Sequence, residues 1–311
     1  MKRIMLLIFP MLFFSRILQA DSGTGFEFLK THFGARAAAM GGAYVGGEKD
    51  MIAAGYNPAG LTGLDERKVV FSYLDYFADF KGGLISYGQK LQNEQAVLFS
   101  AAYMNYGAIE RTDITGISHG SFYPGDILFS ATFAGMTGPG IRYGVSAKYI
   151  RSQIDHFSAD AMAMDAGLLY RIENQRINIG LSITNLGQAL SAFQHEKEKL
   201  PLAYRMGLSK TLAHLPLTLH FHFLRYQFQE SDIFGGLYWA IGGEFQLSNV
   251  TFLRWGYNSV GNEQKADSDV DRFAGISFGF GTRIRRFIID YALSYHGVLG
   301  STNQFTIQLI I

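Results

Sequence analysis

The tail of this 311-residue chain alternates strictly, with Phe305, Ile307, Leu309 and Ile311 set off by Thr306, Gln308 and Ile310. A period of two predicts a β-strand with one greasy and one mostly polar face. A bare apolar face of this kind predicts a strand that closes a barrel in a bilayer. The same rhythm recurs through most of the chain. It predicts fourteen strands, at 67–77, 81–90, 95–109, 125–136, 141–154, 161–173, 175–186, 202–212, 215–229, 236–247, 250–258, 272–284, 286–296 and 303–311. The count is even, as a single-chain bacterial barrel requires.

The connections divide into two classes. Those at 137–140, Asn174, 213–214, 248–249 and Arg285 are very short, and those at 111–124, 187–201 and 259–271 are long. Short and long alternate along the chain, the asymmetry of periplasmic turns and external loops. The external connection at 78–80 is the exception in being short. Facing follows from parity. In 141–154 the set Ile141, Tyr143, Val145, Ala147 and Tyr149 should meet lipid, while Arg142, Gly144, Ser146 and Lys148 share the lumenal face. By the same rule Gly180, Gly207, Gly242, Gly256, Gly275 and Gly279 point inward, leaving room for something to occupy the bore.

The first sixty-odd residues break the rhythm. Lys2 and Arg3, the apolar run from Ile4 to Phe14, and Leu18-Gln19-Ala20 before Asp21 form an export signal, so 1–20 is expected to be a leader cleaved before Asp21. Residues 21–64 carry an alanine-rich helical stretch at 35–40, glycines at 41, 42, 46 and 47, and a tight Asn57-Pro58-Ala59-Gly60-Leu61 turn. Small side chains of this kind suit a compact hatch inside a narrow tube, with 65–311 as the barrel.

Composition agrees with a membrane barrel: 36 glycines, 6 prolines and 14% aromatic residues in a chain of mean hydropathy only +0.07, because each strand shows lipid every second residue. Loss of the leader leaves 24 basic against 26 acidic residues, a net charge of −2, which gives no electrostatic case for nucleic acid. Without cysteine, disulfides, thiolate metal sites and thiol nucleophiles are excluded.

Candidate chemistry is sparse. His220 and His222 share a strand face, but no third ligand at fixed spacing accompanies them; a hairpin at 213–214 would set His222 opposite Arg205. Asp267, Asp269 and Asp271 resemble the opening of a calcium loop, yet Arg272 stands where glycine is required and no glutamate closes the loop, so a solvated acidic loop is expected. Ser294 and His296 share a face without a nucleophile elbow or oxyanion loop, and no catalytic set, cofactor or metal site is assigned. Lys148, Asp165, Glu244 and Arg254 all have inward parity, with Lys148 near Asp165 and Glu244 near Arg254 on neighbouring strands. Arg205 and Asp290 complete the charged lumenal set.

An ordered series of short motifs carries a family resemblance. GFEFLK at 25–30, GARAAAMGGAY at 34–44, NPAGL at 57–61, GVSAKYI at 144–150, DAGLLY at 165–170, Asn185-Leu186-Gly187, Leu200-Pro201, Arg254-Trp255-Gly256-Tyr257 and Ile289-Asp290-Tyr291 together resemble the PorV/PorQ family, a branch of FadL-like outer-membrane proteins. The resemblance implies a fourteen-stranded antiparallel barrel with an N-terminal hatch in the bacterial outer membrane, surrounded by outer-membrane lipid. It implies a non-enzymatic role in type IX secretion or surface attachment, with exported or secretion proteins docking on the long external loops. The alternative is a FadL-like transporter of long-chain fatty acids or other hydrophobic small molecules.

Overall fold

The structure is a computed structural model that describes residues 24–194, 196–227, 236–264 and 272–311. The leader at 1–20 and Asp267, Asp269 and Asp271 lie outside the described residues. Among those described, the strands are β1 (Lys68–Asp75), β2 (Lys81–Lys90), β3 (Ala96–Asn105), β4 (Ile109–Thr112), β5 (Ser118–Phe122), β6 (Gly125–Gly138), β7 (Ile141–Ile154) and β8 (Phe157–Ile172). The second half adds β9 (Ile177–Ala189), β10 (Ala203–Thr211), β11 (Leu217–Tyr226), β12 (Leu237–Gln246), β13 (Thr251–Asn258), β14 (Ile276–Ile284), β15 (Phe287–Tyr295) and β16 (Ser301–Ile310).

All but β4 and β5 form a closed fourteen-stranded antiparallel barrel, in which β1 pairs with β16 from Lys68↔Ile310 to Asp75↔Asn303. Closure leaves no unpaired edge, the condition for strands in lipid, where an unsatisfied peptide group is costly. No helix among the described residues is long and apolar enough to cross a membrane; the strands do the crossing. Their outward side chains form an apolar belt that includes Phe99, Phe129, Leu168, Met206, Phe278 and Phe305, all about half exposed. Inward positions of β16 are polar and buried: Gln304, Thr306 and Gln308. An apolar exterior around a polar interior inverts the soluble arrangement, and places the protein in the bacterial outer membrane.

Four expectations change. The strand expected at 95–109 stops at Asn105, because Gly107 takes φ +74° and donates to Asn105 Oδ1 at 2.8 Å. The chain beyond it, expected as a loop at 111–124, forms the separate β4–β5 hairpin outside the barrel, its turn wound on Asp113 Oδ1, which accepts from Thr115 N and Ile117 N. Pro216 lacks an N–H to donate, so β11 begins at Leu217 rather than 215, and the β10–β11 turn is wider than two residues. Its ladder therefore pairs His222 with Gly207 and Arg205 with Leu224; the expected His222–Arg205 pair is displaced by two positions, which preserves the faces. Finally, Gly275 is not an inward strand residue: at φ +92° it precedes β14 against the Asn258 carbonyl.

The bore is filled by residues 24–64. This segment runs from Thr24, which bridges to Lys199 in the long β9–β10 connection, down to Leu64 near the short-turn end, where β1 begins. Helix α1 (Ala35–Ala39) is only five residues long, too short to hold itself in water. The wall supports it: Gln304 Oε1 and Thr306 Oγ1 accept from Gly34 N and Ala35 N, helix-start donors that have no intrahelical acceptor. Gly41 and Gly42, both at positive φ, end it, and their N–H groups return to Ala38 O and Ala37 O. Below the helix Met40, Tyr44, Val45, Ile52, Leu61 and Leu64 pack with wall residues Val70, Leu98 and Ala134 into one apolar cluster.

Candidate functional site

The lower bore, toward the short turns, is a region of dense polar contacts. Asn57 precedes a short 3-10 turn at Pro58–Leu61: its Oδ1 accepts from Ala59 N at 3.1 Å, and Pro58 sits where no N–H is needed. Its Nδ2 donates to Val45 O and, at 3.0 Å, to Leu168 O of β8. The turn Pro58-Ala59-Gly60-Leu61 is fully enclosed. It reaches the wall only because Gly144 and Gly167 lack side chains; a β-carbon there would collide with Pro58 backbone and with Asn57 Oδ1 respectively. Gly180 and Gly207 meet Val45, Gly242 and Gly256 meet Met40, and Gly279 meets Ala39.

Charge ties the same segment to the opposite wall. Arg36 donates to both oxygens of Glu244, at 2.8 and 2.7 Å, and to Asp50 at 2.8 Å; Asp50 also accepts from the Tyr44 hydroxyl at 2.7 Å. Arg254, paired directly across β12–β13 with Glu244, contacts it at 2.6 Å and reaches Asp290 of β15 at 2.6 Å. Glu244, Arg254 and Asp290 are buried, and the fork-to-carboxylate geometry gives each guanidinium two acidic neighbours. At the short-turn mouth Glu48 is held between Arg142 and Arg171. Burial by itself would raise the Glu48 carboxyl, but hydrogen bonds and charge from Arg142 and Arg171 outweigh it and hold the group below its usual range.

Lys148 and Asp165 meet midway up the bore. Their Cα positions are offset, since Lys148 pairs with Ala163 and Asp165 with Ser146, but the long lysine stem spans the diagonal and Nζ lies 2.7 Å from Asp165 Oδ2. Here the wall carries a β-bulge: the β8–β9 register slips between Met164↔Leu186 and Ala166↔Ile183. The slip turns two consecutive residues, Thr184 and Asn185, inward. Asn185, at φ +64°, accepts from Lys148 Nζ and donates its N–H to Asp165 Oδ1. Thr184 accepts from Arg205, whose other terminal nitrogen lies 2.9 Å from His32 Nε2.

Above this cluster, at the end that carries the long connections, a cavity of about 490 Å³ opens between the N-terminal segment and the wall. Aromatic side chains Tyr76, Phe77, Phe80, Tyr106, Tyr226 and Tyr238 line it above a floor of His32, Tyr56, Arg205 and His222, together with the charged Glu27 and Lys30. Rings meet edge to face, as Phe80 does with Tyr106 at 5.0 Å between centroids. On the lipid side of β7–β12 lies a second, apolar depression of about 660 Å³, bordered by Val145, Leu168, Leu181, Tyr204, Met206 and Phe223. Arg205 and Leu224 border both.

Strand parity places Lys148, Asp165, Arg205, Glu244, Arg254 and Asp290 in the bore, and the structure brings five of them into contact with acidic or basic partners. Sequence reasoning missed Arg36, Glu48 and Asp50, whose charges stand out in an otherwise small, apolar segment, and the inward pair Thr184-Asn185, signalled only by an asparagine that tolerates left-handed backbone. His220 and His222 are buried in the bore, and among the described residues no group of three potential metal ligands forms. Ser277 donates to Ser294 at 3.0 Å, and His296, beyond the end of β15, lies 3.1 Å from Thr302 Oγ1.

No protein-family profile and no curated protein sequence matches the chain. Solved structures do. The toluene transporter TodX of Pseudomonas putida is similar with a TM-score of 0.60 and 14% identity, over 89% of this chain and 96% of that one. The monoaromatic hydrocarbon channel CymD gives 0.58 at 12% identity, over 89% and 96%, and a Pseudomonas aeruginosa FadL homologue 0.55 at 11%, over 89% and 98%. At these identities the likeness establishes the fold alone: the fourteen-stranded barrel of this chain is similar to those of these outer-membrane channels.

Proposed function

We propose that the protein admits hydrophobic small molecules across the outer membrane without covalent chemistry. The observation that carries this reading is the aromatic cavity at the external mouth, which shares Arg205 and Leu224 with the apolar depression on the lipid side. Its volume, about 490 Å³, lies in the range of small-molecule sites, and its rings favour an apolar guest. The bore below is filled, so a guest leaving the cavity meets either the N-terminal segment or the wall beside the β8–β9 bulge. The structural neighbours, channels for hydrophobic compounds by their own descriptions, favour this reading over docking. The test is uptake of radiolabelled naphthalene by cells that lack other hydrophobic channels and express this protein. Saturable uptake above that of cells carrying an unrelated barrel is expected; equal uptake would overturn the proposal.

A PorV/PorQ-like docking role in type IX secretion or surface attachment is the second reading. It is favoured by the β4–β5 hairpin, which stands outside the barrel and exposes Ile114 and Ile117, with Tyr123 beside it. Deletion of 109–122 should then abolish capture of a secretion protein while naphthalene uptake persists. The connections at 187–201 and 259–271 would form the rest of that surface.

A further inference from the structure

The short turns face the periplasm, and one arc of that rim is strongly basic. Arg283 lies at the end of β14, Arg285 and Arg286 form the β14–β15 turn, and Arg67 and Lys68 open β1. The end of β16 lies between the two groups: Ile310 N–H donates to Arg286 O and Ile311 N–H to Arg67 O, each at 2.9 Å. Arg286 and Arg67 therefore flank a single strand, two strand spacings or about 10 Å apart. Arg67, Arg283, Arg285 and Arg286 are exposed, Lys68 is half-buried, and none of the five forms an ion pair among the described residues. Of the acidic side chains that lead into β1, Asp65 lies 3.7 Å from Lys49, which leaves Glu66.

Two further observations give the arc a partner. Toward the membrane, the outward side chains of the same strands are apolar and exposed, among them Ile284, Phe287 and Ile307. Basic groups that border a greasy wall stand at the depth of lipid headgroups, a border that a soluble acidic partner does not need. At the external end, the same four strands reach Ile276, Tyr295, Ser301 and Asp75, none of them basic, so the positive charge marks one leaflet. We propose that this arc binds the phosphate headgroups of anionic phospholipid in the inner leaflet. Guanidinium groups match phosphate oxygens bidentately, and each basic side chain at an anionic lipid surface favours binding by about fivefold. The contact straddles the seam where β16 meets β1, so a lipid held by Arg286 and Arg67 bridges the two strands on either side of β16. It is independent of what the bore admits.

The experiment is native mass spectrometry of the purified full-length barrel in mild detergent, offered equal amounts of phosphatidylglycerol and phosphatidylcholine with the same acyl chains. The unaltered protein should retain phosphatidylglycerol about tenfold over phosphatidylcholine. Arg67→Gln combined with Arg286→Gln should bring that ratio below about twofold, whereas Lys210→Gln, at an exposed cation on the same rim across the barrel on β10, should leave it unchanged. Arg67→Lys combined with Arg286→Lys keeps the charge and should retain most of the preference. Incubation in about 1 M ammonium acetate, where screening acts within about 3 Å, should lower the ratio several-fold in the unaltered protein, a readout that needs no variant. A ratio near one in the unaltered protein, or an equal loss in Lys210→Gln, would overturn the lipid site. Displacement of phosphatidylglycerol by an equal concentration of glycerol phosphate would overturn it too, in favour of a site for free phosphate.

Discussion

The two halves of the bore are built from the same N-terminal segment and the same wall strands, yet they treat charge oppositely. Below, Arg36, Asp50, Glu244, Arg254 and Asp290 form a connected set, and Glu48 is clamped between two arginines. Above, among the described residues, Arg205 meets only neutral groups beneath the aromatic side chains of the cavity. Below, each buried guanidinium has carboxylate partners that tie elements together; above, the guanidinium has none among the described residues. The lower half is a fastening and, on the uptake reading proposed above, the upper half a receptacle.

Substitutions should separate the two. Arg254→Met strands Asp290 and weakens the hold on Glu244, a loss of about 3–5 kcal/mol expected of a broken buried pair, read as a lower urea midpoint for the barrel in vesicles. Gly167→Val forces bulk against Asn57 and should cost about 1–3 kcal/mol, with the 57–61 turn displaced and the N-terminal segment newly cleaved in limited proteolysis. Asn57→Ala removes the cap and its hold on Leu168, for about 1 kcal/mol by the same urea assay. Glu48 adds a smaller, pH-dependent contribution. Its folded carboxyl lies below its usual range, so its stabilisation is present above the unfolded value and is lost as pH falls through the folded one. Protease sensitivity of the segment should therefore rise on acidification, and Glu48→Gln should flatten that step. In the receptacle, Phe77→Leu should move the urea midpoint by less than about 1 kcal/mol; a larger shift would show that its lining is structural.

The barrel was legible because alternation is a direct consequence of strand geometry, and parity survives small errors of register. The misplaced His222–Arg205 pair shows this: Pro216 moved the turn, but both side chains stayed inward. Lumenal charge at Glu244 and Arg254 was legible for the same reason. What parity cannot show is a bulge, which turns Thr184 and Asn185 to one side, or a contact that depends on a segment folded back through the tube. Arg36 reaches Glu244 across 208 positions of sequence, and no local pattern encodes it. The β4–β5 hairpin escaped because its strands have no buried face and therefore no alternation to read.

The anchoring of α1 on β16 bears on the order of assembly. Gly34 and Ala35 donate to Gln304 and Thr306 across 270 and 271 positions, and those same β16 residues stand in the ladder that joins β16 to β1. The barrel seam and the two acceptors at the helix start thus come from one strand, so closing the cylinder and completing the helix start both draw on contacts of very long sequence separation, the kind that forms slowly.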